Sequence, residues 1–167
     1  MEDRLKICGI LHKLNLTTWE ELRKVADDAL NIGIYSPSLV DAALDEEENI
    51  LDIGLAFTKA LAELNITIPE SINKCRQLLL SNYISEIATR KIFPYEGLLN
   101  IMKVYYGWEK NDPSHPYVED YHSIIDFIAC YWGYSDIQET FCLSLEEKKE
   151  ATIDLEKQLI KIAKNWQ

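Results

Sequence analysis

Hydrophobic residues recur along this chain at the three- and four-residue spacing of α-helices. Between 48 and 64, Ile50, Ile53, Phe57, Leu61 and Leu64 fall on one helical face. Comparable patterns predict seven more helical segments, with boundaries accurate to a few residues: 2–14, 18–32, a short helix after Ser36-Pro37, 69–91, 95–107, 116–132 and 144–166. A further short turn of helix at 135–142 stays open.

Local signals support these helix starts. The segments Thr18-Trp19-Glu20-Glu21 and Ser144-Leu145-Glu146-Glu147 both match the capping box. Four prolines precede helical patterns and none interrupts one: Pro37, Pro69, Pro94 and Pro116. Strand-like alternation and Asn-Gly or Asp-Gly hairpin turns are missing from the sequence. We therefore predict an all-α fold of about seven or eight helices, arranged as a bundle or as stacked helical hairpins.

Composition is consistent with one folded domain covering 1–167. Of the 167 residues, 47% are hydrophobic, which is enough for a substantial core. The acidic N-terminus is unlike a signal peptide, and no apolar run reaches membrane-spanning length, so we expect a cytoplasmic protein. The four cysteines have no Cys-x-x-Cys spacing, and we expect them to be reduced and buried: Cys8, Cys75, Cys130 and Cys142.

Negative charge is concentrated in two segments. The net charge is −11, residues 112–147 carry eight acids and no base, and residues 45–70 carry seven acids and one base. Phosphate backbones and anionic membranes require clustered Lys and Arg, so direct binding to nucleic acid or to a membrane is disfavoured. The composition instead favours a basic protein as the partner.

A metal or acid–base site is one interpretation of the acidic segment. Glu119, His122 and Asp126 are spaced to share one helical face, and Glu-x-x-His forms half of a di-metal pattern. Neither other histidine follows a glutamate by three residues, so the pattern is incomplete. A solvated acidic face is the alternative, because a neighbouring apolar stripe is expected to take the core-facing side: Tyr117, Tyr121, Ile124, Ile128 and Tyr131.

Motifs for catalysis are weak. Ser71-Ile72-Asn73-Lys74 matches Ser-x-x-Lys, but the companion Ser-Asp-Asn and Lys-Thr-Gly elements are missing. The glycines are scattered singly, so no phosphate-binding loop is visible. We predict a protein that is not an enzyme and that requires no cofactor or metal.

Aromatic residues cluster with the acids. Twelve of the 17 Phe, Trp and Tyr residues lie between 93 and 141. The run Tyr131-Trp132-Gly133-Tyr134 cannot face one way on a helix, so we expect part of it at helix ends, beside the carboxylates. Tyr and Trp among carboxylates suit a hot spot for a Lys- or Arg-rich partner, although a packed aromatic cluster is an alternative.

The predicted partner-binding residues form three groups. Charge matching is assigned to Asp112, Glu119, Asp120, Asp126, Asp136 and Glu139. Aromatic anchoring is assigned to Tyr117, Trp132 and Tyr134. A second acidic surface is assigned to Asp45, Glu46, Glu47 and Glu48. The sequence leaves open whether the two acidic segments share one face.

Two stretches carry a resemblance to a known class of proteins. The sequence YISEIATRKIFPYEGLLNIMKVYYG at 83–107, together with GIYSPSLVDAAL at 33–44, resembles small, acidic, all-helical bacterial proteins. Some proteins of that kind act as immunity proteins beside polymorphic toxins, including those of contact-dependent growth inhibition systems. The resemblance implies a cytosolic antidote that binds one toxin domain, and it carries over no site residue.

Charge and resemblance lead to one hypothesis for function. We expect an immunity protein that neutralises a basic toxin domain, such as an RNase or DNase, by stoichiometric occlusion of its active site or substrate groove. A regulatory module for another basic partner and a helical metal-dependent hydrolase are the alternatives.

Overall fold

The structure, a computed structural model, describes residues 1–44, 49–111 and 124–166. These residues form eight α-helices and no strand, which confirms the predicted all-α class. The helices are α1 (Glu2–Lys13), α2 (Trp19–Asn31), α3 (Pro37–Leu44), α4 (Ile50–Glu63), α5 (Ile72–Ala88), α6 (Pro94–Asn111), α7 (Ile125–Glu139) and α8 (Leu145–Asn165).

The chain divides into two compact units. The N-terminal unit covers Met1–Arg76 and the C-terminal unit covers Gln77–Gln167, so the boundary falls inside α5. The expectation of a single domain over 1–167 stays a prediction.

Most helix starts lie where local signals place them. Thr18 and Ser144 both form complete capping boxes, each with the glutamate three residues later. Pro37 and Pro94 occupy the first positions of α3 and α6. Helix α5 instead begins at Ile72, three residues after Pro69, and α6 continues to Asn111, beyond the predicted end at 107.

The prediction for α7 was wrong at its C-terminal end. A helix over 116–132 was expected and a short turn at 135–142 was left open, whereas one helix runs from Ile125 to Glu139. The predicted residues 116–123 lie outside the described residues. The aromatic run around Gly133 therefore lies inside the helix and not at its end. Gly133 faces α8, where a Cβ built on it would lie 3.3 Å from Leu155 Cδ2.

The N-terminal unit buries one apolar core between α1, α2, α3 and α4. Leu5, Leu22, Leu39 and Phe57 contribute one large side chain from each helix, and all four are fully buried. Gly54 allows α1 to approach α4, since a side chain there would overlap the His12 ring. This close approach keeps His12 half-buried, which lowers the pKa of its imidazole through desolvation.

A carboxylate from the end of α4 holds the start of α3. The Ser38 hydroxyl donates to Glu63 Oε1 at 2.7 Å, and the Ser38 N–H donates to Glu63 Oε2 at 3.1 Å. The Leu39 N–H donates to Ser36 Oγ at 3.2 Å, so the first turn of α3 has acceptors for two of its N–H groups. The two hydrogen bonds from Ser38 lower the pKa of the Glu63 carboxyl, and the bond from the Ser38 hydroxyl has the larger effect.

Four helices end in the same way. After α1, α2, α4 and α5 the chain takes one residue with positive φ, at Asn15, Gly33, Asn65 and Arg90. In each case the N–H of the following residue bonds back across the last turn, for example Leu16 N–H to the Leu11 carbonyl at 2.9 Å. This pattern is the Schellman motif, which satisfies carbonyls at a helix end.

Three of the four cysteines agree with the expectation. Cys8, Cys75 and Cys130 are buried thiols outside any disulfide, and burial raises the pKa of the Cys75 and Cys130 thiols. Cys142 is likewise a thiol but lies exposed after α7, so the prediction of burial was wrong there. It lies in the turn at 141–143, where the neighbouring Phe141 is also exposed to solvent.

We predict that Arg90→Gly stabilises the C-terminal unit by about 0.5–1 kcal/mol. Arg90 adopts a φ of 56°, where an L side chain is strained and glycine is not. Chemical denaturation measures the change. The matched control is Lys91→Gly, which replaces the next residue, outside the positive-φ position; an equal gain there would contradict the assignment of strain to Arg90.

We predict that the stability gained from Glu63 disappears in acid. Because the folded-state pKa of Glu63 is lowered from 4.5, the stabilisation is complete above that value and is lost as pH falls through the lower folded pKa. The free energy of unfolding of wild type and Glu63→Gln should therefore converge as the solution is acidified. Glu70→Gln removes an exposed carboxylate as the control, and a pH-independent gap between wild type and Glu63→Gln would refute the coupling.

Candidate functional site

Helix α7 presents two faces of different composition. Phe127, Cys130 and Tyr134 are buried at spacings of three and four residues, which defines its inner face. Residues offset from these by half a turn are exposed and recur at spacings of four and three. This outer face of α7 consists of Ile125, Ala129, Trp132, Asp136 and Glu139.

The middle of the outer face is aromatic and accessible. Trp132 exposes 54% of its surface and Ile125 exposes 53%. The Trp132 ring meets Tyr131 edge to face, with ring centroids 5.4 Å apart. A half-exposed Trp with one supported edge has the size and rigidity of an interface anchor, because burying it against a partner removes a large apolar area from water.

Two carboxylates follow this tryptophan on the outer face. Asp136 lies one helical turn after Trp132 and Glu139 follows, while a third carboxylate, Asp126, is exposed near the start of α7. Among the residues that the structure describes, none of the three has a Lys or Arg within ion-pair distance, whereas Arg4 and Asp28 pair at 2.7 Å elsewhere. Glu139 accepts a hydrogen bond from Ser135 Oγ at 3.1 Å. Their negative charge is therefore directed to solvent.

The outer face gathers part of the predicted site. Trp132, Asp136 and Glu139 come together there, while Asp126 is exposed near the start of the same helix. Tyr134 lies on the inner face and is only 6% exposed, so it does not share the outer face, and its role as an anchor stays a prediction. The remaining predicted residues lie outside the described residues, and their roles stay predictions: Asp112, Tyr117, Glu119, Asp120, Asp45, Glu46, Glu47 and Glu48.

The expected core stripe was partly correct. Ile124 is buried, and Ile128 and Tyr131 are half-buried, while Tyr117, Tyr121 and His122 fall outside the described residues. The predicted stripe left out Phe127 and Cys130, which form the centre of the inner face, although burial of Cys130 was expected from its residue type. Phe127, Cys130 and Tyr134 also have helical spacing, so a stripe that contained Phe127 in place of Ile128 would have identified both residues.

A pocket lies beside the inner face of α7, bounded by the start of α6 and by α8. It has a volume of about 430 Å³. Its lining combines three phenol rings with one carboxylate and three neutral polar side chains: Tyr95, Tyr131, Tyr134, Glu156, Ser135, Gln138 and Thr152. We call this the tyrosine pocket.

Tyr134 lines this pocket, but its hydroxyl oxygen is itself fully buried. Among the described residues it has no hydrogen-bond partner. Burial raises the pKa of Tyr134 well above its ordinary value of 10, with a smaller contribution from the Glu156 charge. The group is therefore a neutral hydroxyl at physiological pH, able to donate one hydrogen bond and to accept others.

Other polar groups around the pocket are already engaged. The Thr152 hydroxyl donates to the Lys148 carbonyl at 2.8 Å, and Lys148 Nζ donates to the Gln138 carbonyl at 2.7 Å. Glu156 supplies a negative charge to the same lining.

A larger depression of about 660 Å³ adjoins the tyrosine pocket and has a different character. Arg90, Lys91 and Lys157 supply positive charge to its lining, and Phe93 is 79% exposed beside them. Glu156 contributes to both depressions. This depression therefore mixes charges of both signs, with Glu96 and Glu156 beside the three basic side chains.

The described residues offer little for metal chemistry. No group of three His, Cys, Asp or Glu side chains among them is arranged to hold a metal ion. The Glu119 and His122 pair that suggested a metal site lies outside those residues. Asp126, the third member of that set, is exposed.

The chain matches no protein-family model, no curated protein and no solved structure in the three comparisons with known proteins. None of the described helices is long and apolar enough to span a bilayer.

Proposed function

We propose that this protein is an immunity protein that binds a basic toxin domain and blocks its activity. The observation that carries the proposal is the outer face of α7, where exposed Trp132 lies beside Asp136 and Glu139, which have no ion-pair partner among the described residues. This face has the chemistry of a binding surface for a cationic protein, an apolar centre with a charged border.

The carboxylates of the outer face would act mainly on the rate of association. Exposed charges of one sign steer a partner of opposite sign and raise association rates toward about 10⁸ M⁻¹s⁻¹ or more at low salt. The net charge of −11 adds a long-range attraction for a basic domain. Rapid capture suits an antidote, because a toxin must be bound before it reaches its substrate.

Tight binding requires buried apolar contact as well. Nanomolar affinity corresponds to about 12 kcal/mol, which exposed ion pairs do not supply. Trp132 and Ile125 are the large apolar side chains that the outer face offers for burial. Acidic groups held against the toxin would then cover the basic surface that it uses for RNA or DNA, and substrate would be excluded.

The same face would also serve a regulatory module that binds some other basic protein. The two functions differ in the partner and in the consequence of binding, since an antidote abolishes the activity of a toxin at one-to-one stoichiometry. The direct experiment is therefore co-purification with the product of the adjacent gene, followed by a nuclease protection assay. A stable complex without inhibition would support the regulatory module and overturn the immunity proposal.

We predict that Asp136→Lys with Glu139→Lys slows association with the toxin by about tenfold or more at low salt and weakens its salt dependence. Stopped-flow or surface-binding kinetics at several salt concentrations measure this. The matched control is Asp41→Lys with Glu150→Lys, which makes the same change in net charge at exposed carboxylates outside α7. Equal slowing by both double variants would show that net charge matters and the outer face does not.

We predict that Trp132→Ala weakens the complex by about 2 kcal/mol or more, mainly through faster dissociation. Because the side chain is half-exposed, the unbound protein should unfold at nearly the same denaturant concentration as wild type. Leu145→Ala, which truncates another exposed apolar side chain of the C-terminal unit, is the control. An unchanged dissociation rate for Trp132→Ala would remove α7 from the interface.

A further inference from the structure

Helix α4 carries an apolar stripe that the rest of the described chain leaves exposed. Leu51 is 76% exposed and Leu55 is 72% exposed, although both are large aliphatic side chains. Thr58 and Ala62 continue the same line along the helix, and both are exposed as well. We call these four residues the α4 stripe. Single exposed leucines are common on protein surfaces, whereas two on one line with small neighbours form a continuous apolar patch.

The spacing within the α4 stripe is that of a coiled-coil contact. Its positions 51, 55, 58 and 62 are separated by four, three and four residues, as the a and d positions of a heptad are. Thr58 is compatible with an apolar contact because its hydroxyl already donates to the Gly54 carbonyl at 2.8 Å. The stripe is about 17 Å long, which corresponds to three helical turns. A second helix of the same length can therefore pack along it.

The two edges of the α4 stripe differ in character. Gly54 and Leu61 lie along one edge, where α1 packs against α4. Asp52 and Lys59 lie along the other edge, seven residues apart, and both are exposed. Among the described residues Asp52 forms no ion pair, and Lys59 reaches Glu63 only at 3.9 Å with its side chain 70% exposed. The open edge therefore presents one negative and one positive charge at a fixed spacing.

This arrangement is complementary to itself. A two-fold axis between Leu55 and Thr58 relates α4 to an antiparallel second copy and brings the two stripes face to face. The axis keeps the charged edges on the same side of the contact. Asp52 of each copy then lies beside Lys59 of the other, because the axis passes between them and the long lysine side chain spans the remaining offset. A parallel pair gives no such match, since each charged edge would meet the α1 edge of the second copy.

We propose that this chain forms a symmetric dimer through the α4 stripe, in which Asp52 and Lys59 pair across the contact. The charge pattern favours a second copy over a different protein, because one helix supplies both halves of each ion pair. Stable interfaces bury about 1,200–2,000 Å², and a contact of three turns on one helix lies below that range. We therefore expect a weak dimer with a dissociation constant of about 10–100 μM. The inference does not rest on the proposed function, which uses α7.

The experiment measures sedimentation velocity of the full chain from about 5 to about 500 μM, a range that brackets the expected dissociation constant. Physiological salt screens the mutual repulsion of two chains of net charge −11. We expect a concentration-dependent rise from the monomer to the dimer sedimentation coefficient. A monomer over the whole range overturns the proposal.

Leu55→Glu tests the centre of the stripe. It should weaken the dimer by at least about tenfold, because a carboxylate replaces an apolar side chain beside the two-fold axis. The matched control is Leu145→Glu, which makes the same replacement at a side chain that is 71% exposed in the C-terminal unit. It should leave the dimer nearly unchanged. Equal weakening by both variants would assign the effect to net charge and overturn the proposal.

An exchange of charges tests the antiparallel pairing. Asp52→Lys and Lys59→Asp each place like charges across the contact, so each variant alone should dimerise about threefold or more weakly than wild type. An equimolar mixture of the two should regain wild-type association, because the lysines of one variant then face the aspartates of the other. A folding defect in either variant does not produce such a recovery. A mixture no stronger than the separate variants overturns the pairing.

The control mixture combines Glu150→Lys with Lys161→Glu, which makes the same changes in net charge at exposed residues of α8. Mixing these two should add nothing to the association of either alone, and a comparable gain would show that net charge accounts for the recovery.

The dimer and the immunity function fail in different experiments. Self-association that survives Leu55→Glu and is lost in Trp132→Ala would place the contact on the outer face of α7 and overturn the α4 assignment. A stable dimer without any toxin complex would overturn the immunity proposal and leave the α4 contact in place.

Discussion

Close packing of α7 against α8 at Gly133 determines which residues of the C-terminal unit can meet a partner. With no side chain at Gly133, Leu155 packs where even a methyl group would be in tight contact. This orientation directs Phe127 and Tyr134 inward and leaves Trp132 on the opposite side of the helix. The outer face is therefore the side of α7 that its packing against the rest of the unit leaves uncovered.

Charge and apolar area on the outer face would contribute differently to binding. Asp136 and Glu139 remain in water, so their attraction acts at a distance and is screened by salt. Trp132 acts only at contact, when a partner removes its exposed surface from water. A partner would thus be attracted by the carboxylates and retained by the tryptophan.

Sequence reasoning succeeded where the determining interactions are local. The Thr18 and Ser144 capping boxes and the proline at the start of α6 were predictable, because each depends on residues within one turn. The related segments Leu14-Asn15-Leu16-Thr17 and Leu64-Asn65-Ile66-Thr67 also signal two helix ends, although the sequence interpretation did not use them. The predicted end of α7 was wrong, because a glycine within an aromatic run resembles a helix end when its contact with α8 is not known. The tyrosine pocket was equally out of reach, since it joins Tyr95 to Glu156 across the fold of the C-terminal unit.

The unpartnered Tyr134 hydroxyl is a weak point in the packing of the C-terminal unit. Among the described residues it has no hydrogen-bond partner, and a buried hydroxyl without one lowers the free energy of unfolding by about 1–3 kcal/mol. Burial also raises the pKa of Tyr134, so ionisation gives no relief. The ring offsets part of this cost, because it packs against Tyr95 with centroids 4.6 Å apart and fills the inner face of α7. The inner face of α7 is therefore held by apolar contact, and its polar atom is tolerated.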